Sequence, residues 1–220
     1  MRVVQRANDC YDLGAHGEVL QANDRELVKI YDKFILMNAS VRGPFMPRWS
    51  QACWTDAFTN RVTDQVKLVG LTMNCLDGLE SLPRPGLQST AEGMDELHKL
   101  RHLQAMMLAT DKVGVDLLLD PLGLAACHSD YDLAVASEVR LTMLIEHAGF
   151  KVDALMSMFG LSDDFAESCT APDPMESYPG GYLPLHETLF AKTKKLSGDV
   201  VARYSEWASE YSSYQFCRRF

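Results

Sequence analysis

The sequence predicts an α/β domain with a mostly parallel or mixed central sheet flanked by helices, and two observations predict it. Short apolar runs (KFILM, 33–37; VKLVGLTMN, 66–74; HLQAMMLATDKV, 102–113; KVDALMSMF, 151–159) read as strands, and helical patterns separate them. Strands alternating with helices build βα units on a common sheet. The run at 66–74 is apolar almost without interruption, as expected of a strand covered on both faces.

Taken in order, Val3-Val4-Gln5 reads as a short strand followed by the loop-like NDCYDLGAHG. A helix is expected from Gly17 to Ile30, with Leu20, Leu27 and Ile30 on one face. KFILM is the next strand, SQACWTDAFTNRV (50–62) a helix, and 66–74 a single strand. Residues 76–100, rich in Pro, Gly and charge, read as an exposed excursion. HLQAMMLATDKV passes from strand into the helix GVDLLLD. The clearest helix is YDLAVASEVRLTMLIEHAGF (131–150), whose apolar side is Leu133, Val135, Val139, Leu141, Met143, Leu144 and Ile145; Gly149 stands where a C-terminal cap belongs. Residues 162–181 read as a loop and 196–220 as a helical, aromatic-rich tail. One domain spanning 1–220 accommodates all of these, because 220 residues bury one full core more readily than two.

Composition narrows the function. The chain is 47% hydrophobic, 23% charged and carries a formal net charge of −9, which disfavours a nucleic-acid backbone as main partner. Its six cysteines contain no C-x-x-C pair, so zinc-ribbon spacing is absent, and reduced core thiols are a simpler reading than a disulfide framework. No stretch approaches the ~18 apolar residues of a membrane span. The P-loop, G-x-G-x-x-G, G-x-S-x-G and H-E-x-x-H patterns are missing, which removes the main signals of nucleotide hydrolases, dinucleotide dehydrogenases, α/β-hydrolases and zincins. The chain opens directly as a strand, without a signal-peptide core, so a domain whose first elements lie N-terminal to Met1 is expected. Placement would be cytoplasmic if the chain is complete, and Golgi or secretory lumen if an N-terminal anchor has been lost.

In open α/β sheets ligands gather beyond the carboxyl ends of the strands. The polar residues that follow each strand are Asn8, Asp9 and Asp12; Asn38 and Ser40; Thr72 and Asn74; and Thr110 and Asp111, with Arg6 and Arg42 beside the first two groups. Acids, amides and two arginines suit a sugar plus a phosphate, although each Asn or Asp alone is an ordinary turn former. Glu138 reads either as a first-turn acid stabilised by the helix dipole or as a general base at the sheet rim. In GGYLPLHETLFAKTKK (180–195), His186 and Glu187 are candidates to contact acceptor, phosphate or a metal.

The segments RANDCYDLGA, FILMNASVRGPFMP, VKLVGLTMN, HLQAMMLATDKVG and SEVRLTMLIEHAGFKVDAL follow one another in an order that resembles the rhamnan-synthesis-protein-F-like glycosyltransferases, relatives of family 2 enzymes with the glycosyltransferase A-type (GT-A) fold. LPLHETLFAKT is similar to their tail segment, and the likeness runs from about Arg2 to Lys195. The resemblance implies a transferase using a nucleotide-diphosphate sugar and a glycan or other hydroxyl acceptor, with inversion. It implies donor contacts from Arg6, Asn8, Asp9, Asp12, Asn38, Ser40 and Arg42, acceptor or phosphate contacts from Asn74, Asp111, His186 and Glu187, and Glu138 as catalytic base. In such proteins the strand matching KFILM ends in an acidic motif that holds a divalent Mg or Mn ion; here the position reads Asn38-Ala39-Ser40, so Arg42 is expected to offset diphosphate charge in its place. The alternative is a non-catalytic, degenerate transferase-like module that binds sugar or a partner.

Overall fold

The computed structural model describes residues 3–7, 9–47, 49–77, 99–157, 185–195, 198–209 and 217. In chain order the elements are α1 (Asp12–Ile30), β1 (Lys33–Met37), β2 (Val41–Arg42), α2 (Asp56–Thr59), β3 (Val66–Gly70), β4 (Met73–Asp77), β5 (Lys99–Leu103), β6 (Met107–Asp111), α3 (Lys112–Leu118), α4 (Tyr131–His147), β7 (Lys151–Ala154), α5 (Leu185–Thr188), β8 (Ala191–Lys192), a 3-10 turn at Thr193–Lys195 and α6 (Gly198–Ser209). A four-stranded sheet runs in the order β1-β6-β3-β7. β6 is antiparallel to both its neighbours and β3 is parallel to β7, so the sheet is mixed and the chain is an α/β protein. Two ribbons, β4-β5 and β2-β8, flank it.

Strand alternation sends side chains to two cores. Phe34, Leu36, Leu68 and Leu108 meet Leu118, Leu141 and Ile145 of the helices on one face. Met107, Ala109 and Val69 meet Phe45, Phe58 and Phe190 on the other. Both faces of the sheet are therefore covered, which is why its strands read as apolar runs.

Several elements depart from the sequence expectation. Val3-Val4-Gln5 forms no strand and its valines are exposed, because no strand pairs with it. The first helix starts at Asp12, not Gly17, and is broken at Ala22–Arg25, where Asn23, Asp24 and Arg25 take left-handed backbone angles. The break rotates the following turn, so Val28 is buried and Ile30 is 61% exposed. Only Asp56–Thr59 of the 50–62 segment is helical. The 66–74 run is two strands: the chain leaves the sheet at Leu71-Thr72 and joins the β4-β5 ribbon. The ends of the expected 76–100 excursion belong to that ribbon, and 78–98 lie outside the described residues, as does 162–181. α4 matches closely. Asp130 caps its start by accepting from Leu133 N, and Gly149 ends it at φ +82°, with Gly149 N donating to Glu146 O and Phe150 N to Ile145 O.

The cysteines are the largest correction. Cys10 is bonded to Cys127 and Cys53 to Cys217, across sequence separations of 117 and 164. The expectation of reduced thiols came from scattered spacing, which carries no information about pairs brought together by the fold. Among the described residues no helix is long and apolar enough to cross a membrane.

Candidate functional site

Because β6 runs antiparallel, the carboxyl ends of β1, β3 and β7 share one rim with the amino end of β6. Asn38 follows β1 at that rim and is fixed there: its N donates to Met106 O at 3.0 Å, and its side-chain oxygen accepts from Ser40 N at 2.8 Å, closing an Asx turn. Its amide nitrogen donates to the Asp12 carboxylate, a close contact across 26 residues. Asp12 opens α1 and also accepts from Leu13 N at 3.1 Å. α1 reaches this position because Gly14 and Gly17 lie flat against the 124–127 segment; a Cβ on Gly17 would stand 1.6 Å from Leu124 O.

Glu138 enters the same site from α4. It is the helix's eighth residue, well past the first turn, so the expectation of a dipole-stabilised terminal acid is corrected. Its Oε1 accepts from Ala105 N at 2.7 Å, and one turn on Thr142 Oγ1 accepts from Leu103 N at 2.9 Å; the two side chains dock α4 along the β5-β6 connection. Burial pushes the Glu138 carboxyl above its ordinary value near 4.5. His102, the Ala105 N–H and Lys192 pull it down, while the Asp12 carboxylate pushes it further up. Glu138 thus shares one field with Asp12, His102 and Lys192. His102 is 2% exposed and faces Asn74 across the β4-β5 register.

Lys192 arrives on β8, whose Lys192 pairs with Val41 of β2. Ser40 O accepts from both Thr193 N (2.9 Å) and Thr193 Oγ1 (3.1 Å), which locks this ribbon to the Asn38 turn. Gly43 sits at φ +146° with Leu189 O only 2.3 Å from where a Cβ would be, so the ribbon closes only around glycine. Three buried side-chain polar atoms have no hydrogen-bond partner among the described residues: His16 Nε2, Ser40 Oγ and, at the break in α1, Arg25 Nε. His16 lies one turn after Asp12; burial lowers its pKa, and Asp12 opposes the shift. Two of the three unpaired atoms, at the Asn38 turn and one turn from Asp12, leave hydrogen-bonding capacity for a polar ligand.

The other expected residues are distributed differently. Arg6 pairs with Glu18 at 2.8 Å and with Asp9 at 3.9 Å, and Asn8 lies outside the described residues. Arg42 is exposed and donates to its own strand's Val41 O at 3.4 Å; the side chains that pull the Glu138 pKa down are His102 and, less strongly, Lys192. Thr110 and Asp111 are corrected: β6 is antiparallel, so they stand at the opposite end of the sheet. There Asp111 caps α3 through Gly114 N and pairs with Lys67 at 2.6 Å. Thr72 turns inward to bond Gln104. Glu187 accepts from Ser157 N at 2.5 Å, and His186 lines a separate aromatic groove. His16, His102 and Lys192 were not singled out in the sequence, although the AKTKK cations after the apolar LF were a visible signal.

Asp12 brings to Asn38 the carboxylate that the 38–40 tripeptide lacks. Its two oxygens already accept hydrogen bonds, and among the described residues no three His, Cys, Asp or Glu side chains converge to hold a metal ion. The arrangement suits a proton acceptor (Glu138), a cation (Lys192) and neutral hydrogen-bonding groups (Asn38, Ser40) around one polar ligand. The chain matches no protein-family model, no curated protein and no solved structure.

Proposed function

We propose that this protein is an inverting glycosyltransferase of GT-A type that uses a nucleotide-diphosphate sugar, with Glu138 as general base. The observation that carries the reading is the meeting of Asp12, Asn38 and Glu138, from three separate elements, at one sheet rim beside Lys192. The acceptor hydroxyl gives its proton to Glu138 as its oxygen bonds to the anomeric carbon. The bond from that carbon to the diphosphate oxygen breaks, and the diphosphate leaves with the electron pair. A carboxylate whose pKa is raised is a stronger base than an ordinary one once ionised. Lys192 offsets charge on the leaving diphosphate, while Asn38 and Ser40 donate to sugar or phosphate oxygens. The divalent ion implied by the resemblance does not fit the donor set at 38–40 and Asp12, so no step is routed through it. The two disulfides favour an oxidising compartment such as the secretory lumen.

The test is turnover of a panel of nucleotide sugars by wild type and Glu138→Gln, with product stereochemistry read by NMR. Donor release by wild type with loss of ~10²–10⁴-fold in the variant is expected of a general base. Full transfer by Glu138→Gln would remove the assignment. One observation favours a second reading, a non-catalytic sugar-binding module: Asn38 is committed to an Asx turn and to Asp12 rather than held open for a ligand. Binding of free glycans with no turnover of any nucleotide sugar would select it.

A further inference from the structure

We propose that the aromatic groove between α6 and the Phe45–Trp49 segment is the acceptor subsite, and that it takes a pyranose ring carrying a carboxylate, an assignment that rests on the transferase reading above. The groove encloses about 600 Å³, within the range of small-ligand sites. Its base is Phe45, 2% exposed, with Tyr204 standing edge-on to it at 5.7 Å between centroids and Trp207 edge-on to Tyr204 at 6.2 Å. Trp49 lines it while remaining 84% exposed. Trp49 is the most exposed of the chain's large apolar residues among those described, and with Tyr204 (40%) and Trp207 (37%) it makes three exposed aromatic rings in one groove, the composition of a recognition surface.

The polar groups point to the kind of ligand. His186 and Arg203 line the same groove, and no acid among the described residues pairs with Arg203, although the chain carries net charge −9. A sugar ring has an apolar C–H face for indole and phenol rings and a polar edge for donors. The imidazole gives one donor and one acceptor, and the guanidinium fork meets a carboxylate bidentately. An apolar peptide would offer neither group a partner.

Position links the groove to the reacting groups. Ser40 and Phe45 are five residues apart, so at most roughly 18 Å separates the Asn38 turn from the groove base. β8, six residues beyond His186, delivers Lys192 beside Glu138. Phe45 N donates to Leu189 O at 2.7 Å, three residues before Lys192, which ties the groove base to the ribbon that carries the cation. The Cys53–Cys217 bond joins the chain beyond α6, the helix that carries Arg203, Tyr204 and Trp207 of the groove, to the residue before Trp54.

The experiment is titration of the full chain with neutral and uronate-containing oligosaccharides, followed by tryptophan fluorescence and calorimetry. The expected result is saturable binding of the uronate series, weakened on the order of tenfold by Trp49→Ala. Arg203→Met should bring the uronate affinity down to that of the neutral series, about tenfold. Trp49 is exposed, so its variant keeps the fold. Binding unaltered by both Trp49→Ala and Trp207→Ala, or indole shifts produced by lipid vesicles or a free nucleoside diphosphate instead of saccharide, would overturn the assignment. Saccharide binding without turnover of any donor would retain the groove and remove the transferase reading; donor turnover with no role for Trp49 would do the reverse.

Discussion

A half-buried carboxylate in the middle of a helix sets a conflict between folding and chemistry at Glu138. Burial raises its pKa, so between the unfolded value near 4.5 and the higher folded value the native state binds more protons. Stability contributed by the protonated form is complete below that window and falls as pH rises through it. Glu138→Gln keeps the acceptor for Ala105 N and removes the charge, so its thermal midpoint at pH 7 should equal or exceed that of wild type while transfer is lost. A midpoint several degrees lower would mean that the carboxylate is a structural strut. The same shift puts the acid limb of the transfer-rate profile above pH 4.5. His16 works from the other side: its pKa is depressed by burial, so its contribution is present above 6.5 and lost as pH falls below it. His16→Phe should flatten the acid side of the stability profile measured by thermal denaturation. Asn38 and Ser40 were legible in the sequence because a polar residue after an apolar run marks a strand end; Asp12 was grouped with them after a strand that does not form, and Glu138 was picked out from its long helix. Lys192 was not, because it reaches Ser40's neighbourhood across about 150 residues through a two-residue ribbon that no periodicity announces.

At the scale of elements, direction decided what the sequence hid. The apolar run of β6 reads the same forwards and backwards, so nothing in it reveals that the strand is antiparallel; Asp111 was therefore expected at the wrong end of the sheet. α4 was legible almost to its ends, because Asp130, a long apolar stripe and Gly149 are local signals that tertiary structure does not override. α1 was not, since its left-handed break falls at Asn23-Asp24, and its start is set by glycine contacts with a loop a hundred residues away. Those contacts invert an ordinary rule. Gly→Ala inside a helix normally gains up to about 1 kcal/mol. At Gly17 the methyl would meet Leu124 O, and Gly17→Ala should cost about 3 kcal/mol or more in chemical denaturation. Gly198→Ala, with open space around it at the start of α6, is the control and should be neutral. Equal effects at the two sites would mean that α1 does not lie against the 124–127 segment.

For the whole molecule, the two disulfides join segments far apart in sequence, each outside the strands. Cys10 stands two residues before Asp12, and Cys127 three before the Asp130 cap of the helix that carries Glu138. Tyr11 N donates to His128 O at 3.3 Å in the same junction. Cys53–Cys217 instead bonds the chain that follows α6, the helix carrying Arg203, Tyr204 and Trp207 of the groove, to the residue before Trp54. Closing loops of more than 100 residues removes conformational freedom mainly from the unfolded chain, and each bond contributes roughly 3–5 kcal/mol in that description. Both single breaks should therefore lower the unfolding midpoint in urea by comparable amounts, yet separate functionally. Cys10→Ser with Cys127→Ser loosens Asp12 against Glu138, so transfer should fall more than saccharide affinity. Cys53→Ser with Cys217→Ser removes the covalent tie that follows the helix bearing Arg203, Tyr204 and Trp207, so saccharide affinity should fall more than donor turnover. Measuring both quantities on the two double variants below their unfolding transitions tests the division. If each variant loses the two activities in the same proportion, the reacting groups and the groove form one unit, and the disulfides serve stability alone.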